Sequence, residues 1–170
     1  MPLPIAVRSE ADPPTFEGLP PSAAFSVGPL RLWLTLPLGM VTQFEPNAHL
    51  SVSLSRLIAG PATDALLGLY QQSPRPMRFL HDWRNLMTYD SEARLILTDW
   101  GLRLGAERVL RVDMLLGART PSFVRMGAAV GQAALAVAGM TLRVHYEAGA
   151  FAHASEAPLL RPHPGWRPTW

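Results

Sequence analysis

The chain of 170 residues contains no cysteine. This excludes disulfide scaffolds, thiolate metal sites and cysteine nucleophiles, and it is compatible with a reducing compartment. The first residues, Met1-Pro2-Leu3-Pro4-Ile5, lack the basic region and the continuous apolar stretch of a secretion signal. We therefore expect a cytoplasmic protein.

Lysine is also absent, so all 15 basic residues are arginine, and with 13 carboxylates the formal net charge is only +2. The arginines are scattered from Arg8 to Arg167 without a run. Proteins that bind nucleic acid usually cluster their cations along one face. We expect no nucleic-acid partner.

Long uninterrupted apolar runs are missing as well. Residues 30–41 include Arg31 and Pro37, and residues 123–140 include Arg125 and Gln132. A membrane-spanning helix needs about 20 apolar residues, and a charge inside it is expensive. We expect no membrane insertion. The small residues of 123–140 would instead let a helix in water lie close to a sheet.

No established enzyme signature is present: the chain lacks the glycine-rich nucleotide loops, the Gly-x-Ser-x-Gly turn and the His-Glu-x-x-His zinc motif. His81 precedes Asp82, but neighbours on a strand point to opposite faces and form no catalytic pair by themselves. The spacing of His145, Glu147 and His153 matches no standard metal site. The sequence therefore predicts no catalytic residue, no metal and no cofactor.

Hydrophobic residues make up 48% of the chain, enough for the core of a single domain. Prolines concentrate at both ends, which predicts a disordered segment over residues 1–28 and a second one over residues 155–170. The folded domain is then expected over residues 29–154.

Alternating patterns within that domain predict strands over residues 30–36, 40–43, 77–83, 109–116 and 141–146. Helical spacing predicts one broken helix or two short helices over 47–70, with the interruption at Gly60-Pro61, and further helices over 90–104 and 121–138. A short helix follows the last strand. Thr120 is expected to cap the helix at 121. This order predicts an α/β fold, with one mixed sheet of four to five strands covered by helices.

The junction before the helix at residue 90 has two interpretations. In the first, Asp90 caps the helix and Glu92 meets the positive end of the helix dipole, with no further role. In the second, Ser91 is an exposed hydroxyl at which phosphate is added or a partner docks.

With the strand and helix order, Tyr89-Asp90-Ser91 resembles the STAS-domain family of sulfate transporters and anti-sigma-factor antagonists. The segment from His81-Asp82-Trp83 through Tyr89-Asp90-Ser91-Glu92-Ala93-Arg94 to Trp100 is also similar to uncharacterised bacterial members of that family. The resemblance covers about residues 30–154 and implies a STAS-like fold.

In the antagonists of this family an Asp-Ser-Ser-Gly motif carries its phosphate on the second serine, added by a partner kinase. Asp90 and Ser91 match the first two positions, whereas Glu92 and Ala93 replace the phosphorylated serine and the glycine. The carboxylate of Glu92 carries one negative charge where phosphate carries nearly two, so it would imitate the modified state in part, or the switch is absent.

The leading hypothesis is a non-enzymatic regulatory or scaffold module that docks a protein partner at Tyr89, Asp90, Ser91, Glu92 and Arg94. The alternative is binding of a small apolar ligand or lipid in a pocket between helix 121–138 and the sheet, as in lipid-transfer proteins of a related branch. A third hypothesis is a hydrolase or transferase that uses His81 or His145. Trp166 and Trp170 would offer a second contact in the tail.

Overall fold

A computed structural model of the chain describes residues 6–10, 22–35, 39–72 and 76–155. The strands are β1 (Ala6–Arg8), β2 (Ser22–Val27), β3 (Leu30–Thr35), β4 (Gly39–Phe44), β5 (Ala48–Leu50), β6 (Met77–Asp82), β7 (Leu86–Tyr89), β8 (Val109–Leu115) and β9 (Leu142–His145). The helices are α1 (Val52–Leu57), α2 (Thr63–Gln72), α3 (Ser91–Leu104), α4 (Ser122–Val137) and α5 (Ala148–Ser155).

Seven strands form one mixed sheet in the order β1-β2-β3-β4-β6-β8-β9. Strands β2, β3 and β4 are antiparallel neighbours, whereas β4, β6, β8 and β9 run parallel to one another. The remaining two strands, β5 and β7, pair in parallel as a separate small sheet. The predicted α/β class and mixed central sheet are confirmed, but the sheet has more strands than the four to five expected.

Two strands lie where the sequence predicted a disordered N-terminal segment. β2 joins β3 through the two-residue turn Gly28-Pro29, and Phe25 and Val27 pack against the core. Glycine at the first turn position suits such a hairpin. The prolines before residue 22 had favoured disorder for the whole segment 1–28. The ordered fold therefore includes β2. Residues 11–21 and the predicted tail after residue 155, with Trp166 and Trp170, lie outside the described residues.

The broken helix predicted over 47–70 starts later than expected. Residues 48–50 form β5, and α1 begins at Val52 because the Ser51 side chain accepts a hydrogen bond from the Leu54 amide. The interruption at Gly60-Pro61 is confirmed as a π-helical turn, Ile58–Ala62, between α1 and α2. Such turns accommodate a proline that an α-helix excludes.

Each face of the sheet has its own hydrophobic core. Helices α1 to α4 cover the first face, where Leu32, Phe44 and Phe79 are buried. On the second face, Leu80 and Leu115 pack with Phe151 of α5. Because successive side chains of a strand point to opposite faces, the middle strands β4 and β6 are buried along their whole length.

The second face also holds a buried polar cluster around Asp113, whose side chain is fully buried. One carboxylate oxygen accepts hydrogen bonds from Arg111 Nε at 2.7 Å and from Arg78 at 3.4 Å. The other oxygen lies 2.9 Å from His145 Nε2. Burial, and then the charge of Arg111, lowers the pKa of Arg78, and Asp113 opposes this effect. The negative charge of Asp113 thus offsets the positive charges of Arg78 and Arg111 on this face of the sheet.

Within the described ranges, no helix combines the length and the apolar composition that a membrane crossing requires.

Replacing Asp113 with asparagine removes the negative charge beside Arg78, whose side chain is only 6% exposed. Loss of one partner of a buried ion pair is expected to lower the free energy of unfolding by about 3 to 5 kcal/mol. Urea unfolding measures the change. The matched control Asp99→Asn breaks an exposed pair with Arg103 and should lower stability by less than about 1 kcal/mol. Equal effects would contradict this role of Asp113.

Candidate functional site

An apolar cavity of about 100 Å³ lies between α3, α4 and the first face of the sheet. Its walls are hydrophobic side chains and small residues from three layers of the fold. The sheet contributes Phe79, His81, Val112, Met114 and Leu142, α3 contributes Leu97, Thr98, Trp100, Gly101 and Leu104, and α4 contributes Val124, Gly127, Ala128, Gly131 and Leu135. Among the described residues, no carboxylate lines this cavity.

The cavity opens between the two helices. Its sheet residues are mostly buried, whereas the half-exposed lining residues lie mainly on α3, on α4 and at the end of β7. Among these are Arg94 and Gly131. Beside them α4 exposes Phe123, Met126 and Val130 to solvent. An apolar surface therefore leads up to the opening.

Aromatic rings form one wall of the cavity. Phe79 and Trp100 stack with their ring centroids 5.5 Å apart and their planes only 8° from parallel. The indole Nε1 of Trp100 donates a hydrogen bond to Thr63 Oγ1 at 2.8 Å. Since the only polar atom of that indole is already paired, this wall offers rings without a free polar group.

His81 is the buried polar residue of the lining, with only 3% of its surface exposed. Its Nδ1 lies 2.7 Å from Thr42 Oγ1, which also accepts a hydrogen bond from Trp83 Nε1 at 2.9 Å. Thr42 and His81 are register partners on the adjacent strands β4 and β6. These two hydrogen bonds fix the orientation of the imidazole.

Burial lowers the pKa of His81 from 6.5 to about 4, and the negative charge of Asp113 opposes the shift only in part. A desolvated imidazole without a carboxylate partner favours its neutral form. His81 is therefore uncharged near neutral pH. In that state one ring nitrogen donates a hydrogen bond and the other accepts one.

Small residues on α4 create the space. A Cβ atom on Gly127 would lie 2.7 Å from the hydroxyl oxygen of Tyr89, so any larger residue here would require the Tyr89 side chain to shift. One turn further, a Cβ on Gly131 would meet no atom within 4 Å. The Gly-x-x-x-Gly spacing thus brings the helix close to its neighbours at one position and leaves a gap at the other.

The structure places the five predicted docking residues in three surroundings. Tyr89 and Arg94 line the cavity. The Tyr89 hydroxyl donates to the carbonyl oxygen of Phe123 at 3.2 Å, and the two rings pack 5.6 Å apart. These two residues therefore lie at the boundary between α3 and α4.

Asp90 and Glu92 face α1 instead. Asp90 makes no side-chain cap on α3; one of its oxygens accepts from the amide of Val52 at 3.0 Å and the other lies 3.2 Å from His49 Nε2. The parallel pair β5-β7 brings the starts of α1 and α3 together, so Asp90 serves the neighbouring helix. Glu92, in the first turn as predicted, pairs with Arg56 at 2.8 Å.

Ser91 is exposed at the first position of α3. Its phosphorylation and the docking of a partner around it stay predictions. The predicted cap at Thr120 differs in a similar way from the structure, since its hydroxyl accepts from the amide of Gly117 at 2.8 Å and makes no cap on α4.

The two histidines considered for catalysis lie on opposite faces of the sheet. His81 lines the cavity without an acidic neighbour in the lining, and His145 pairs with Asp113 but does not line the cavity. Among the described residues, no group of three or more histidine or carboxylate side chains could hold a metal ion. The described cavity is thus apolar, with His81 as its buried polar side chain.

The small residues of helix 121–138 predicted a pocket beside this helix, but not the sheet residues that line it. Phe79 and His81 are separated by one residue on β6, and their alternation predicts a shared face. That signal was available. The contact of His81 with Thr42, 39 residues away in sequence, depends on strand order and could not be predicted.

The low pKa of His81 predicts a specific pH dependence of stability. Between the unfolded value of 6.5 and the folded value of about 4, the unfolded chain takes up a proton that the folded protein does not. Stability is therefore lost as the pH falls through this window, by about 2 kcal/mol at pH 5 relative to neutral pH.

Urea unfolding of the wild type and of His81→Phe at both pH values isolates this contribution. The loss on acidification should be smaller in the variant by that amount. The same loss in both proteins, or an NMR titration of folded His81 with a midpoint near 6.5, would contradict the assignment.

Comparison of the chain with models of known protein families, with curated proteins and with solved structures gave no significant match. The resemblance to STAS domains therefore stays a prediction, and functional conclusions depend on the geometry described above.

Proposed function

We propose that the protein is a binding module for a small apolar ligand, held in the cavity between α3, α4 and the first face of the sheet. The observation that carries this proposal is the coincidence of an apolar space with a gap in the α4 packing at Gly131. Protein interiors are normally close-packed, so a void lined by aromatic and aliphatic side chains is unusual.

Hydrophobic transfer supplies the affinity. Burial of apolar ligand surface contributes roughly 25 cal/mol for each Å² removed from water. The Phe79 and Trp100 rings offer flat surface for such contact. Because the void is apolar, water gains little from filling it, and a ligand need not displace strongly held water.

The size of the cavity restricts the ligand. At about 100 Å³ the space is smaller than an engineered cavity of about 150 Å³ that binds benzene. A short chain or one small ring fits inside, and larger parts of a ligand would extend through the opening beside Arg94.

Protein docking around Ser91 remains the competing hypothesis. The residues predicted for it are divided between α1 and the cavity, since Asp90 bonds the start of α1 and Tyr89 bonds Phe123. The geometry thus gives the apolar ligand stronger support, whereas a docking partner would have to use Ser91 and the exposed pair of Glu92 and Arg56.

Titration of ¹⁵N-labelled protein with benzene tests the proposal. The aromatic ring current should give saturable shifts at residues on β6, β8, α3 and α4. Gly131→Leu would place a side chain in the gap and should weaken binding by at least about tenfold, since the ligand and the new side chain compete for the same volume.

Gly149→Leu is the matched control. It makes the same substitution in helix α5, where an added Cβ would also meet no atom within 4 Å, and it does not line the cavity. It should leave binding unchanged. No saturable shift in the wild type, or equal binding by Gly131→Leu, would refute the proposal.

A further inference from the structure

The hydrogen-bond chain behind the cavity determines which ring nitrogen of His81 carries its proton. An indole N–H can only donate, so Thr42 Oγ1 accepts from Trp83 Nε1. Thr42 is fully buried. The other neighbour of its hydroxyl, among the described residues, is His81 Nδ1 at 2.7 Å.

A buried hydroxyl hydrogen without an acceptor is unfavourable, so the Thr42 hydroxyl donates to His81 Nδ1. Nδ1 therefore has no proton. The neutral imidazole, which burial favours by lowering its pKa to about 4, then carries its single N–H hydrogen on Nε2.

His81 Nε2 has no hydrogen-bond partner in the part of the chain that the structure describes, and only 3% of the surface of this residue is exposed. The rings around the imidazole have no free polar group. Phe79 is apolar, and the indole nitrogens of Trp83 and Trp100 already donate to Thr42 and Thr63. A donor that lines an apolar cavity without a partner forgoes a hydrogen bond that a ligand acceptor can supply. A water molecule would need two to four polar partners, which these side chains do not provide.

We infer that the ligand has an apolar skeleton with one uncharged oxygen acceptor, a ketone, aldehyde, ester, ether or alcohol oxygen, which accepts a hydrogen bond from His81 Nε2. This inference rests on the proposed function and specifies its ligand class.

The acceptor is uncharged because the inner cavity has nothing to compensate an anion. Among its lining residues Arg94 is the one arginine, and it is half-exposed on α3. A carboxylate beside neutral His81 would lose its hydration without an opposite charge. A charged group on the ligand would therefore stay at the opening.

Two probes of nearly identical shape test the inference: cyclopentanone and methylenecyclopentane, which differ in =O against =CH₂. Their dissociation constants are measured for the wild type and for His81→Phe by NMR titration. Taking the ratio of the two probes in each protein cancels their different hydration, as in a double-mutant cycle. The ratio should favour the ketone about tenfold more in the wild type than in His81→Phe.

A second readout needs no substitution. In the ¹⁵N-labelled wild type, cyclopentanone should shift the Nε2–H proton of His81 downfield, whereas methylenecyclopentane should not. Thr42→Val tests the hydrogen-bond chain itself. It removes the hydroxyl that holds the proton on Nε2 and should therefore reduce the preference for the ketone.

The outcomes distinguish failure of this inference alone from failure of the proposed function. If both probes bind and the ratio is the same in wild type and His81→Phe, with no shift of the Nε2–H proton, this inference is overturned and the apolar binding site stands. If neither probe binds the wild type and benzene gives no saturable shift, both the inference and the proposed function fail.

Discussion

Burial of strand β6 on both faces is the constraint on which the rest of the structure depends. All six of its residues are buried, so each polar side chain on it needs a partner inside the protein. His81 finds Thr42 on the first face, and Asp82 finds Gln43 at 3.0 Å on the second. Both partners are the register neighbours on β4. A shift of one residue between these strands would break both contacts at once.

The cavity is the consequence of two opposing requirements on the first face. Large rings on the sheet and on α3, such as Phe79 and Trp100, need cover, while α4 brings mostly small residues to the interface. Tyr89 fills the space next to Gly127, and nothing fills the space at Gly131. A void of this kind normally lowers stability. Its position beside His81 Nε2, which has no partner among the described residues, agrees with the proposed ligand site.

The sequence predicted most elements because their signals are local. The helix start at residue 91 and the strand over 109–115 follow from periodicity within a few residues. The partner of Asp90 was assigned wrongly because an acidic residue before a helix usually caps that helix. Here the pair β5-β7 places Val52 within reach, and such pairing between short strands carries almost no sequence signal. Likewise, small residues predicted the pocket beside helix 121–138, whereas the contact of His81 with Thr42 depends on the strand order.

Crystals of the protein pressurised with xenon would test the central claim most directly, because xenon enters dry apolar cavities and reports their position. We expect a xenon atom between α3, α4 and the sheet, in contact with the Phe79 and Trp100 rings and close to Gly131. Absence of xenon from this position, or well-ordered water bound to His81 Nε2 in its place, would contradict an apolar binding site.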